Sequence, residues 1–253
     1  MTQNYLPVYT TVVANSSDYD AIEQKPHHRE PGEFYLKMHQ CLPSDNFAAV
    51  ACNNVSIENS ILNYDPALHN IRGRENYIQQ PLHIDEIGHF LTALLGPDQN
   101  IFAYDCDMNK ILLTLEDGQI ILSKPLAEIL GFEAQMFTAP AIHYSDKAPD
   151  LYRRFRQLYL CADFCDYSCY SATQKQKLLC TIDANNLGSV ENKCTAINAS
   201  FTHSPIWRKT TPSLPIYTRV SLYDSTFSLV PTTPDCKIAI ELTFRTNSIY
   251  DQF

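Results

Sequence analysis

The run CKIAIELTFRT places Ile238, Ile240, Leu242 and Phe244 on one parity and Lys237, Glu241 and Arg245 on the other. A pleated strand sends alternate side chains to opposite faces, so this run predicts a strand with one face in a core and the other in water. Upstream, LPIYTRVSLYD repeats the rule, with Ile216, Thr218, Val220 and Leu222 set against Tyr217, Arg219, Ser221 and Tyr223. One-sided alternation belongs to antiparallel sheets, because strands of parallel sheets are buried on both faces and read as continuous apolar runs.

Further segments extend the pattern. EFYLKMHQC alternates Phe34, Leu36 and Met38 with Tyr35, Lys37 and His39, and NFAAVACNNVSIENSIL supplies one or two more strands. RRFRQLYLCADFC and KQKLLCTIDA are two further candidates. In NKILLTLEDGQIILS two β-rich runs flank Asp117-Gly118, the pair favoured in two-residue hairpin turns, which predicts Leu115 facing Ile120 and Leu113 facing Leu122. Only two segments read as helix. Ile84, Ile87, Phe90, Leu91, Leu94 and Leu95 have helical spacing and stop at Gly96-Pro97, and a shorter helix is framed by Ser123 as cap, Pro125 in the first turn and Gly131 at the end. The expected fold is mainly β and antiparallel, with two short helices inserted before the midpoint. A chain of 253 residues suits one sandwich or barrel, so residues 32–253 are expected to form a single domain. Residues 1–31 carry NSSDYD and QKPHHREPG without a sustained period and are expected to form a flexible N-terminal arm.

Several chemistries are disfavoured by residue type. No glycine-rich phosphate loop or G-x-S-x-G elbow is present, and a formal charge of −9 opposes nucleic-acid wrapping, which needs clustered Lys and Arg. The one basic cluster, Arg153, Arg154 and Arg156, is short and reads as the solvated start of a strand. MTQNYLPVYTTVV lacks the features of a secretory signal and no apolar run has the length of a membrane span, so an intracellular setting is expected. Nine cysteines, an odd number, are then expected to stay reduced, and the sequons at Asn54 and Asn198 to be chance matches.

Candidate metal ligands fare poorly against spacing rules. His27 and His28 lie in the polar arm and read as a solvated pair. His83, Asp85, Glu86 and His89 do not match the metalloprotease pattern and read as the polar face of the first helix. Asp105 and Asp107 lack the calcium-loop pattern and read as a turn. Cys161, Cys165 and Cys169, spaced by four in LYLCADFCDYSCY, would share one face of a strand or of a helix. Zinc sites pair such cysteines with a second pair elsewhere, and none is evident, so packing of buried thiols is the expected role. No catalytic, cofactor-binding or metal residue is assigned.

The order of these segments resembles a capsid protein family encoded by Polinton/Maverick elements and related adintovirus-like DNA viruses. The resemblance runs over about residues 33–246 through FYLKMHQC, the helix at 84–95, NKILLTLEDGQIILSKPLAEILGF, LYLCADFC, SPIWRKTTPSLPIYTRVSLYD and KIAIELTFRT. It implies a penton-like minor capsid protein on a jelly-roll sandwich, located in the virion after assembly inside the host cell. Its implied partners are further copies of itself, as a homopentamer, and the major capsid protein. Tyr217 and Tyr223 are candidate contact residues. No enzymatic activity and no cofactor is expected. Two alternatives stay open at this level: a cysteine-dependent hydrolase, and a non-viral β-sandwich binding module.

Overall fold

The computed structural model describes residues 9–16, 31–38, 47–58, 60–74, 76–96, 101–166, 168–169, 175–185, 196–211 and 217–246. The chain gathers into two compact units. The first comprises Met1–Asn59, Phe155–Asn185 and Thr195–Phe253; the second comprises Ser60–Arg154 and Asn186–Cys194. The stretch after residue 60 brings a core of its own, including Ile87, Leu91, Ile111, Leu113, Leu126 and Leu130, all fully buried.

The first unit opens with β1 (Tyr9–Asn15), β2 (Glu33–Lys37) and β3 (Phe47–Glu58). The second contains helix α1 (Ile84–Leu95), β4 (Phe102–Asp105), β5 (Lys110–Leu115), β6 (Gln119–Ile121), helix α2 (Lys124–Leu130), β7 (Met136–Thr138) and β8 (Ala141–Tyr144). A 3-10 turn at Arg153–Phe155, where the sequence suggested a strand start, leads into β9 (Gln157–Ala162). Then follow β10 (Ser168–Cys169), β11 (Lys175–Gln176), β12 (Leu178–Asp183), β13 (Ala196–Ser200), β14 (Trp207–Lys209), β15 (Tyr217–Tyr223) and β16 (Ile238–Thr246).

Two large sheets and the short pair β10-β11 make the first unit. One has the order β1-β16-β3-β13, with β14 also pairing β3, and the other has the order β12-β9-β15-β2. Every pairing is antiparallel. Successive strands change sheet at almost every step, so neighbours in each sheet come from distant parts of the chain. This interleaving of a five-stranded and a four-stranded sheet is a jelly roll. The alternation seen in the sequence supplies the interior: Phe34, Leu36, Val220 and Leu222 from one sheet and Ile240, Leu242 and Phe244 from the other are essentially inaccessible to water.

Two features depart from the sequence expectation here. Residues 9–15, expected to lie in a flexible arm, form β1 and pair with β16 from Tyr9↔Arg245 to Asn15↔Ala239. Val12 and Ala14 are buried and Val13 is 62% exposed, so the alternation is real but is written in small residues that read as polar or neutral. His27 and His28, with most of the proposed arm, lie outside the described residues. The second departure is in β3, a single strand whose alternation changes phase where Asn53 is an extra residue opposite Glu241 and Leu242. The Asn53 amide secures this bulge by donating to Glu241 Oε1 and to Thr243 Oγ1, the latter at 2.8 Å.

In the second unit β4, β5 and β8 form a three-stranded sheet and β6 pairs with β7. Asp117-Gly118 does turn the chain between β5 and β6, with Gly118 at φ 75°, yet those strands do not pair with each other. Leu115 lies opposite Ala141 and Ile120 opposite Phe137. The returning segment 136–144 takes both partners, anchored by Phe137, whose ring packs edge-on to Phe132 at 5.1 Å. Both expected helices form. Ser123 Oγ accepts the Leu126 N–H at 3.3 Å to cap α2, and Gly131 ends it at φ 84°.

Candidate assembly surfaces

The sites singled out by residue type separate in space. Among the described residues no group of three or more His, Cys, Asp or Glu side chains is placed to hold a metal. His83, Asp85, Glu86 and His89 are exposed along α1. Asp105 Oδ1 accepts the N–H groups of Asp107 and Met108 at 3.1 and 3.0 Å, a turn-forming role. Arg153 pairs with Glu128, and the charge of Arg154 acts on His69.

The cysteines also divide. Cys161 faces outward from the second sheet into an apolar cluster with Tyr159 and Leu178, roofed by Tyr223 and Phe227. Cys165 is fully buried and lies near Cys180 and Cys52, whose strands belong to opposite sheets of the sandwich. The Cys169 side chain is outside the described residues. Burial pushes the Cys161 and Cys165 thiols up to about 12, and a hydrogen bond with Cys52 together with burial pushes Cys180 well up. A nucleophilic cysteine needs the opposite shift, toward the thiolate. These thiols behave as small apolar side chains.

The outer faces of the two sheets differ in cover. On the second sheet the loop after β15 folds back: Asp224 Oδ1 accepts the N–H groups of Thr226 and Ser228, and Phe227 stacks on Tyr159 with centroids 4.7 Å apart. Tyr223 is therefore half-buried beneath this loop, whereas Tyr217 remains exposed.

The first sheet carries an aromatic platform. Tyr9 on β1 and Trp207 on β14 bring their rings to 5.9 Å, and the Arg245 guanidinium on β16 lies 5.3 Å from the Trp207 ring centre. Beneath them β3 presents Ala49 and Ala51, opposite Arg245 and Thr243 in register, so small side chains leave room for large rings. Tyr9 is 57% exposed and Val13 62%, which leaves the β1 side of this face open to solvent. Trp, Tyr and Arg are the residues most enriched at binding hot spots. The sequence signal for it is the chain's single tryptophan, set beside Ile206 and Arg208.

The strand order places the chain among double-sheet jelly rolls. Two solved structures share this fold over nearly the whole chain. The mavirus penton protein superposes with a TM-score of 0.55 at 12% identity, covering 96% of this chain and 100% of its own. A chain of the Sputnik virophage structure does so with a TM-score of 0.53 at 12% identity, covering 98% and 99%. No protein-family model and no curated protein sequence matches the chain.

Proposed function

We propose that the chain is a structural capsid subunit of the virion, a penton-like protein that closes into rings of five and contacts a major capsid protein. The observation that carries this reading is the end-to-end correspondence with the mavirus penton protein, which covers both compact units rather than the jelly roll alone. A ring requires one surface of each copy to meet a different surface of the next. The platform of an exposed Tyr9 beside half-buried Trp207 and Arg245 has the composition for one side of such a contact. The held-neutral thiols favour a structural over a hydrolytic role.

Native mass spectrometry at micromolar protein concentration tests the proposal. The expected result is a species of five chains, weakened when Tyr9→Ala and Trp207→Ala are combined. A stable monomer across that range, with the fold intact by circular dichroism, overturns the ring.

A further inference from the structure

Among the described residues the two sheets of the second unit have four edge strands, β4, β6, β7 and β8, and the chain treats them unequally. At β4 the outward groups of Phe102 are both engaged by one side chain: the Phe102 N–H donates to Thr92 Oγ1 at 3.1 Å and the Thr92 hydroxyl donates to Phe102 O at 3.3 Å. Helix α1 reaches that edge because residue 88 is glycine, where a Cβ would sit 3.1 Å from Ala103 Cα. At β6 the outer edge is covered by Asn70–Arg72, through Arg72 N–H to Ile121 O at 2.9 Å and Ser123 N–H to Asn70 O at 2.8 Å.

The other two edges, β7 and β8, lie in the segment 136–144. Ser145 N–H donates to Ile111 O at 2.8 Å, and Ala139 N–H donates to Gly118 O at 3.0 Å. Leu122 N–H donates to Gln135 O at 2.8 Å. Antiparallel ladders alternate, so odd-numbered residues of this segment turn their backbone toward β5 and β6. Met136, Thr138, Ile142 and Tyr144 turn theirs away. Among the described residues nothing pairs with these outward groups. Within each strand the side chains of these residues share a face, Met136 with Thr138 on β7 and Ile142 with Tyr144 on β8, and Met136, Ile142 and Tyr144 are 60%, 73% and 41% exposed.

Edge strands are ordinarily blunted by charge or proline. MFTAPAIHY contains no Asp, Glu, Lys or Arg, and its one protective residue, Pro140, sits between the two open pairs. We infer that β7 and β8 form a docking edge for an extended, uncharged segment of another polypeptide, which adds as an antiparallel strand over Met136–Tyr144. The unpaired ladder specifies the occupant's conformation, since only extended backbone offers donors and acceptors at that repeat. The uncharged apolar row specifies its side chains. A second copy of the same edge is the poorer fit. Two-fold pairing about His143 would use only Ile142 and Tyr144, and pairing about residue 140 would set Pro140, which has no N–H to donate, opposite itself at the centre of the ladder.

The test uses the full chain and a fluorescein-labelled peptide with Thr and Val alternating over eight residues between terminal lysines, followed by anisotropy. A matched peptide is N-methylated at alternate amides, which removes donors and keeps side chains. The expected result is saturable binding that weakens at least tenfold with the methylated peptide and at least tenfold with Ile142→Lys. Amide exchange at Ile142 and Tyr144 should slow on binding. Ile142 is on the surface, so the Ile142→Lys chain should retain the wild-type unfolding midpoint. Equal binding of both peptides, or wild-type binding by Ile142→Lys, overturns the inference. Concentration-dependent self-association abolished by Ile142→Lys overturns the assigned occupant in favour of a second copy.

Discussion

Phe227 adopts φ 59° and lays its ring on Tyr159, with the two planes 17° from parallel. A left-handed backbone at a bulky residue costs on the order of 1–3 kcal/mol, and it persists where the surroundings fix it. Here Asp224 does so, through its carboxylate bonds to Thr226 and Ser228 and its own N–H bond to Ser228 O at 2.9 Å. Phe227→Ala removes the stack and keeps the strain, and is expected to lose about 1–2 kcal/mol in urea denaturation. Phe227→Gly removes both and should lose less than the alanine variant. A glycine variant weaker than the alanine one would show that the backbone is not the strained part.

The buried thiols predict an alkaline limit to stability. Their pKa values are raised in the folded protein, so the contribution is fully present below the unfolded value of 9.0 and is lost as pH rises from there toward about 12. Above pH 9 the unfolded chain releases protons that the folded chain holds, costing about 1.4 kcal/mol per pH unit for each thiol. Denaturation from pH 8 to 10.5 should show a shallower fall for Cys161→Ser and Cys165→Ser than for the parent chain. At pH 8, iodoacetamide should label the exposed Cys106 well before Cys161 or Cys165. Parallel alkaline limbs, or early labelling at Cys165, would contradict the assigned burial.

Acid should loosen the second unit through His69. Its Nδ1 accepts the Asp65 N–H at 3.0 Å, its ring lies 5.7 Å from that of Tyr64, and burial holds its pKa below 6.5, with Arg154 adding to the shift and Asp65 opposing it. The unfolded chain takes up a proton near 6.5 while the folded chain resists it, so stability falls as pH drops below that value. Protonation also turns the Nδ1 acceptor into a donor facing an N–H. His69→Leu should be less stable at pH 7.5 and should show a smaller further loss between pH 7 and 5. An unchanged pH slope in that variant would remove His69 as the cause.

The strands that proved easiest to read were those with large apolar residues in unbroken phase. In β16 and β15 the positions chosen by alternation, from Ile238 to Phe244 and from Thr218 to Leu222, are the buried ones. β1 escaped notice because its inward residues, Thr10, Val12 and Ala14, are small and lie at a sheet edge where little volume needs filling. β3 and β12 were blurred by bulges at Asn53 and Leu179, each of which reverses the parity partway along. The Asp117-Gly118 turn was legible as a turn, but pairing is decided by what returns to it. Residues 136–144 lie well beyond the turn's reach and supply better partners. The aromatic platform depends on Tyr9, Trp207 and Arg245, separated by nearly the whole chain, and only the register of β1, β16, β3 and β14 brings them together.

Gly118 and Gly131 have similar backbone angles, φ 75° and 84°, in different surroundings. A Cβ at Gly118 would meet nothing within 4 Å, whereas at Gly131 it would lie 2.2 Å from the Lys147 carbonyl oxygen. That carbonyl is held by the Ser145 hydroxyl at 2.8 Å, and the Lys147 N–H binds Gly131 O at 2.9 Å, so it has little room to retreat. Gly118→Ala therefore tests the left-handed angle alone, and should cost about 1 kcal/mol in chemical denaturation. Gly131→Ala adds a clash with fixed backbone and should cost about 3 kcal/mol or more, or prevent folding of the unit. Because φ is shared, the difference between the variants measures the close approach of residues 145–147 to the end of α2. Equal losses would mean that the approach is looser than the 2.2 Å contact implies.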